Sequence, residues 1–221
     1  MIGGFFPAFD SPSAVAVSFD LFGTLVSVEQ TDPTREIAEG LRVRGVPVPE
    51  DWAEAYGERH VDAPDGAEVP LPAHVASALR SRDIEFDAHL VRRAVVAAFD
   101  PEVETRDGAR EAVEAAGRSG AVGLLSNCSV PELVPRVLIR SELDRDAFDA
   151  VVTSIGCGWR KPHTEAFRSV AEALGCGVTE LVHVGDSHRA DGGIEACGGR
   201  FLPVDEYPLA ELPDLLTREA P

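Results

Sequence analysis

Residues 15–26 read VAVSFDLFGTLV. The apolar run over residues 14–19 is rich in valine and has the length of a buried strand rather than of a helix. It stops on Asp20, and Gly23-Thr24 follows as a turn. In an open α/β sheet ligands bind beyond the carboxyl ends of the strands, so an aspartate in that position is a candidate for chemistry. The stretch therefore predicts the first strand of a parallel sheet, with Asp20 on its functional edge.

Short apolar runs of the same kind recur at 121–125, 150–152 and 181–184, with a weaker one near 201. Amphipathic segments separate the later ones, at 106–118, 131–139, 163–174 and 189–197. Strand and helix in alternation imply parallel crossovers and a doubly wound, Rossmann-like sheet. Residues 28–104 break the alternation and read as helices only, over 33–44, 50–60, 72–82 and 87–99. The first begins with Asp32 as N-cap and Pro33 at N1. Pro and Gly punctuate the interval at 45–49 and 63–66. The expected organisation is an α/β core formed by 1–27 and 105–221, with a helical cap inserted over 28–104.

The chain has 221 residues, 38 acidic against 20 basic, and a formal charge of −18. Such a surface argues against nucleic acid or an anionic membrane as a partner, because either would be repelled by it. Nineteen of the twenty cations are arginine, and Lys161 is the single lysine. An acidic, lysine-poor composition suits a halophilic protein, although a GC-rich genome also replaces lysine by arginine. Cys128, Cys157, Cys176 and Cys197 form no C-x-x-C pair, so reduced thiols are expected. The first residues show no basic region ahead of an apolar one, and no run of 18 apolar residues occurs. The expectation is a soluble, cytoplasmic protein acting on a small molecule, with its oligomeric state left open.

Four strand ends carry polar groups: Asp20 with Gly23-Thr24; Ser126-Asn127; Lys161 in GWRKPH; and Asp186 with Asp191 in GDSHRAD. Each alone is an ordinary cap, turn or surface dipeptide. Together they fall at successive strand ends, in a chain that places its one lysine there. Were the three aspartates to converge within roughly 4 to 5 Å, each pair would repel by about 3 to 4 kcal/mol at an effective dielectric of 20. A hard divalent cation such as Mg2+ relieves that repulsion, and Lys161 adds a compact second charge.

With FDLFGTL, LLSN, RKP and GDSHRAD in that order, the chain resembles the haloacid dehalogenase-like hydrolases. The resemblance implies that Asp20 is the nucleophile of a covalent aspartyl intermediate, that Ser126 binds the transferred group and that Lys161 stabilises developing charge. It implies that Asp186 holds Mg2+ with Asp20 and the Phe22 carbonyl, that Asp191 acts in the same acidic cluster through water or Lys161, and that Thr24 supports Asp186. Phe22, Gly23 and Asn127 are expected beside the substrate.

Phe22 departs from the pattern. The family's phosphatases carry a second aspartate there as general acid, a function typically worth about 10² to 10⁴ in rate. FDLFGTL instead is similar to the first motif of the 2-haloacid dehalogenases, whose halide leaves without a proton, whereas GDSHRAD keeps both acids of the phosphatase form. His163 and His188 are alternative proton sources. Arg80, Arg82, Arg92 and Arg93 could meet a substrate carboxylate, although arginines on the wet face of a helix explain them as well. The expected function is a magnesium-dependent phosphatase. A dehalogenase and a non-catalytic phosphate- or partner-binding protein are the alternatives.

Overall fold

A computed structural model describes residues 16–29 and 32–218, so the expectations for 1–15 and 219–221 lie outside the described residues. Five parallel strands form the sheet: β1 (Ala16–Phe19), β4 (Val122–Ser126), β5 (Ala150–Thr153), β6 (Leu181–Gly185) and β7 (Arg200–Pro203), in the spatial order β5-β4-β1-β6-β7. β1 pairs with β4 on one side, Phe19 opposite Leu124, and with β6 on the other, Phe19 opposite Val184. Strand order thus reverses at β1, and such a switch point leaves a crevice beyond the strand ends. Asp20 is the first residue past that point.

Alternation along β1 sends Val17 and Phe19 to one face and Ala16 to the other. The first face packs against α5 (Ala109–Ser119), α6 (Leu133–Arg140) and α9 (Leu212–Arg218), the second against α8 (Thr164–Ala173), whose Phe167 is fully buried. A four-residue helix, α7 (Ser154–Cys157), follows β5. Among the described residues no helix is long and apolar enough to cross a membrane.

Four helices interrupt the core where the sequence predicts them: α1 (Pro33–Val43), α2 (Trp52–Gly57), α3 (Leu71–Arg80) and α4 (Ala88–Ala98). Asp32 caps α1 by accepting from the amides of Thr34 (3.0 Å) and Arg35 (3.3 Å), and the chain leaves the helix through Gly45 at φ 73°. Ile37 and Leu41 on α1, Val75 and Leu79 on α3, and Val91 and Val95 on α4 are buried in the same cluster as the first face of the sheet.

Two local expectations are corrected. Residues 28–104 are not helical throughout: β2 (Val26–Val28) and β3 (Val103–Thr105) form an antiparallel ribbon at the two ends of the interval. Strands of three residues are too short to show a period, and the partner of each lies at the other end of the interval. Residues 189–197 form 3₁₀ turns over Asp191–Cys197 instead of an amphipathic helix. Gly192-Gly193 weaken helix propensity, and a Cβ on Gly193 would lie 2.5 Å from Pro162 Cβ, so that backbone is pressed against the loop carrying Lys161.

Replacing Phe167 by Ala should lower unfolding free energy by about 3 to 5 kcal/mol, because it empties the core of the second face. Replacing exposed Ile139 by Thr should change it by less than about 0.5 kcal/mol. Urea unfolding of both variants checks the contrast.

Candidate active site

Asp20 continues the pairing of β1, its amide donating to Val184 O at 2.9 Å, and its side chain is 10% exposed. The chain then turns back, with Gly23 N donating to Val26 O (2.8 Å) and Val26 N to Leu21 O (3.0 Å). Gly23 adopts φ 88°, and a Cβ there would stand 2.5 Å from Asp186 Oδ2, so glycine is required twice over. The turn brings Thr24 Oγ1 to Asp186 Oδ1, to which it donates at 3.2 Å. Arg106, at the return from the ribbon, donates to Gly23 O and closes the turn from outside.

Lys161 is 4% exposed and its ammonium is fully engaged. Nζ lies 2.7 Å from Asp20 Oδ1, 2.6 Å from Asp191 Oδ1 and 2.8 Å from Leu125 O. Its backbone is gripped by Asn127, whose Oδ1 accepts from Lys161 N (2.8 Å) and whose Nδ2 donates to Lys161 O (2.9 Å). Both ends of the Asn127 amide are thereby committed to positioning Lys161, a task its expected place beside the substrate did not reveal. Ser126 is fully buried, and its Oγ has no hydrogen-bond partner among the described residues. A buried hydroxyl without a partner costs about 1 to 3 kcal/mol, which a ligand oxygen would remove.

Asp20, Asp186 and Asp191 each offer an oxygen within 4.8 Å of the other two. Their environments differ. Burial is the largest influence on Asp20 and, with Asp191 adding to it, pushes its carboxyl up to about 6 against the opposing pull of Lys161. Burial acts the same way on Asp191, but His183 and Lys161 together outweigh it and hold that carboxyl well below the usual range. Asp191 Oδ2 also accepts from Ser187 N at 2.9 Å, which leaves Asp186 as the exposed member of the cluster.

His183, in the middle of β6, was missed as a site residue. Nε2 donates to Asp191 Oδ1 at 3.1 Å, and Nδ1 accepts from Ser18 Oγ at 2.8 Å. Burial lowers its pKa to about 4, so the ring is neutral at pH 7 and orients Asp191 without adding charge. The signal was a lone histidine inside the apolar strand LVHV.

Phe22 is half-buried and lines, with Asn127, a cavity of about 640 Å³. Val28, Pro33, Ala98 and Phe99 give it apolar walls, Glu29, Glu36, Asp100 and Glu102 are acidic, and none of the described residues lining it is Arg, Lys or His. The other candidate cations and the two candidate histidines lie elsewhere. Arg82 pairs with Asp51 and Glu58, Arg92 with Glu132, and Arg80 covers the ring of Phe86. Arg93 is exposed on α4 and does not line this cavity. His163 stacks on Trp159 at 4.1 Å, and His188 faces Asp205 at 3.3 Å.

The chain is 29% identical over 199 residues to a phosphatase of Mycobacterium tuberculosis, covering 87% of this chain and 88% of that one. It is 27% identical over 221 residues to the glyceraldehyde 3-phosphate phosphatase of Pyrococcus furiosus, covering 90% of each. Among solved structures, the 2-haloacid dehalogenase of Pseudomonas syringae superposes with a TM-score of 0.67 at 18% identity, over 93% of this chain and 99% of that one. The haloacid dehalogenase-like hydrolase model matches residues 15–197, a span that begins at β1 and ends beyond Asp191, and so the chain belongs to that family.

Proposed function

We propose that this hydrolase is a magnesium-dependent phosphatase acting on a small phosphorylated metabolite through a phospho-Asp20 intermediate. The observation that carries the proposal is an excess of negative charge. Three carboxylates crowd within 4.8 Å, and the one ammonium among them is spent on Asp20 and Asp191. Among the described residues Asp186 is left with a single hydroxyl donor, Thr24. An oxygen-seeking divalent cation fits this set, because Mg2+ takes one or two carboxylates and completes its shell with water and phosphate. Asp20, Asp186 and the Phe22 carbonyl would hold it, with Asp191 reached through water or Lys161. Magnesium, when bound, supplies positive charge to the phosphoryl oxygens.

In the proposed reaction an Asp20 carboxylate oxygen attacks phosphorus, and the bond from phosphorus to the leaving oxygen breaks with its electron pair going to that oxygen. Ser126 Oγ donates to a phosphoryl oxygen, and Lys161 steadies the nucleophile. Water then cleaves the aspartyl phosphate, releasing inorganic phosphate and restoring Asp20. Phe22 delivers no proton, so substrates whose leaving group needs none, such as acyl or aryl phosphates, are favoured. The two phosphatases among the relatives support the same chemistry.

Phe22 also favours the dehalogenase reading. Against it stands the cavity beside Phe22, whose lining offers no cationic side chain to a 2-halo acid carboxylate. The same lining selects a leaving group that is apolar and not anionic. The proposed enzyme is cytoplasmic and works in concentrated salt, a setting that its charge of −18 suits.

Hydrolysis of 4-nitrophenyl phosphate should need Mg2+, stop in EDTA and vanish in Asp20→Asn. A protein that binds Mg2+ yet turns over no phosphate ester would favour the non-catalytic reading. Because the Asp20 carboxyl is raised to about 6, the protonated, non-nucleophilic form dominates at lower pH. At limiting metal, kcat/KM should fall about tenfold per unit below that point, and saturating Mg2+ should move the limb to lower pH. Phe22→Asp should speed hydrolysis of alkyl phosphates by about 10²-fold or more while changing aryl phosphates less, and a flat substrate panel would falsify the account of Phe22.

A further inference from the structure

One of the contacts between the helical insertion and the core runs through a buried carboxylate. Glu68, between α2 and α3, has a side chain only 2% exposed. It accepts from Ser154 Oγ and from Arg160 Nη1, the latter at 3.0 and 3.2 Å to its two oxygens. Ser154 Oγ in turn accepts from Cys128 N at 2.8 Å. Backbone bonds run alongside: Glu68 N donates to Gly158 O and Arg160 N to Gly66 O, both at 2.8 Å, and Leu71 N donates to Ser129 O at 2.9 Å.

These contacts close a ring around the catalytic loops. Arg160 directly precedes Lys161, and Cys128 follows Ser126-Asn127. The Asn127 amide ties Lys161 to that second loop, and Glu68 ties the two loops again on the far side. A carboxylate removed from water is expensive unless paired and hydrogen-bonded, so the arrangement holds only while both loops stay in place. We propose that Glu68 is a positioning residue: from the insertion, it fixes the loops that present Ser126 and Lys161 to Asp20. The kinetic part of this proposal rests on the phosphatase reading; the structural part does not.

Lys161 makes the proposal testable without turnover, because it is the only lysine of the chain. Its acylation by an amine-reactive ester can be followed by mass spectrometry against the N-terminal amine as internal reference. Well below the melting transition, Glu68→Ala should raise Lys161 labelling about tenfold or more, with kcat for 4-nitrophenyl phosphate falling about 10- to 100-fold and KM staying within about threefold. Glu68→Gln keeps an acceptor for Ser154 and loses only the charge facing Arg160, so it should recover part of both effects. If Glu68→Ala does not fold, Glu68→Gln and Arg160→Gln carry the test.

Alkylation of Cys176 and Cys197, which pack on the opposite face of the sheet, reports general loosening. Lys161 labelling that rises while theirs stays at the wild-type rate supports the proposal. Labelling of Lys161 at the wild-type rate, or an equal rise at all three sites, overturns it. If the wild-type protein hydrolyses no phosphate ester, the phosphatase reading falls and the labelling alone decides the role of Glu68.

Discussion

The contact on which the rest of this structure depends is the ammonium of Lys161, held between Asp20 and Asp191 in a space almost closed to water. Two carboxylates brought out of solvent and set side by side repel each other, and neither strand end could carry its aspartate there without a positive charge between them. A lysine provides it as a point charge on a flexible stem, where a planar guanidinium would demand a wider slot. The neighbouring polar groups serve that contact. Asn127 grips the lysine backbone, His183 and Ser187 orient Asp191, and the glycines at 185 and 193 let backbone approach where a Cβ would collide.

Because Lys161 is consumed in this way, charge remains unbalanced at Asp186, the exposed corner of the cluster. The chain has thus built a site that is preorganised on its buried side and open on its solvent side. Fixed groups surround Asp20 on the buried side, and the unbalanced charge of Asp186 faces the open side. The cavity beyond Phe22 extends the open side toward α1 and α4, so the insertion supplies part of its walls.

The insertion is joined to the core by more than its two connecting strands. Its helices share one hydrophobic cluster with the first face of the sheet, and its α2–α3 connection runs hydrogen-bonded along the loops around Asn127 and Lys161. Packing and polar contacts therefore couple the insertion to the loops that carry Asn127 and Lys161.

Much of this was legible in the residues themselves. A buried parallel strand must be apolar and short, and its end must be polar, so VAVSFD, GLLSN and LVHVGD revealed both the sheet and three of its polar corners. Asp32-Pro33 announced α1 because capping is a local interaction. The ribbon of β2 and β3, the commitment of Asn127 to Lys161, the orienting role of His183 and the burial of Glu68 were not legible. Each depends on a contact that only the fold makes, across 8 residues for His183 and Asp191, 34 for Asn127 and Lys161 and 86 for Glu68 and Ser154, and an isolated Asn, His or Glu looks the same in sequence whether it faces water or a buried polar partner. The sequence by itself determined the strands, the order of the motifs and the charge of the groups; only the tertiary structure decided which of those groups meet, because pairing of distant polar side chains is set by how the sheet and the insertion pack.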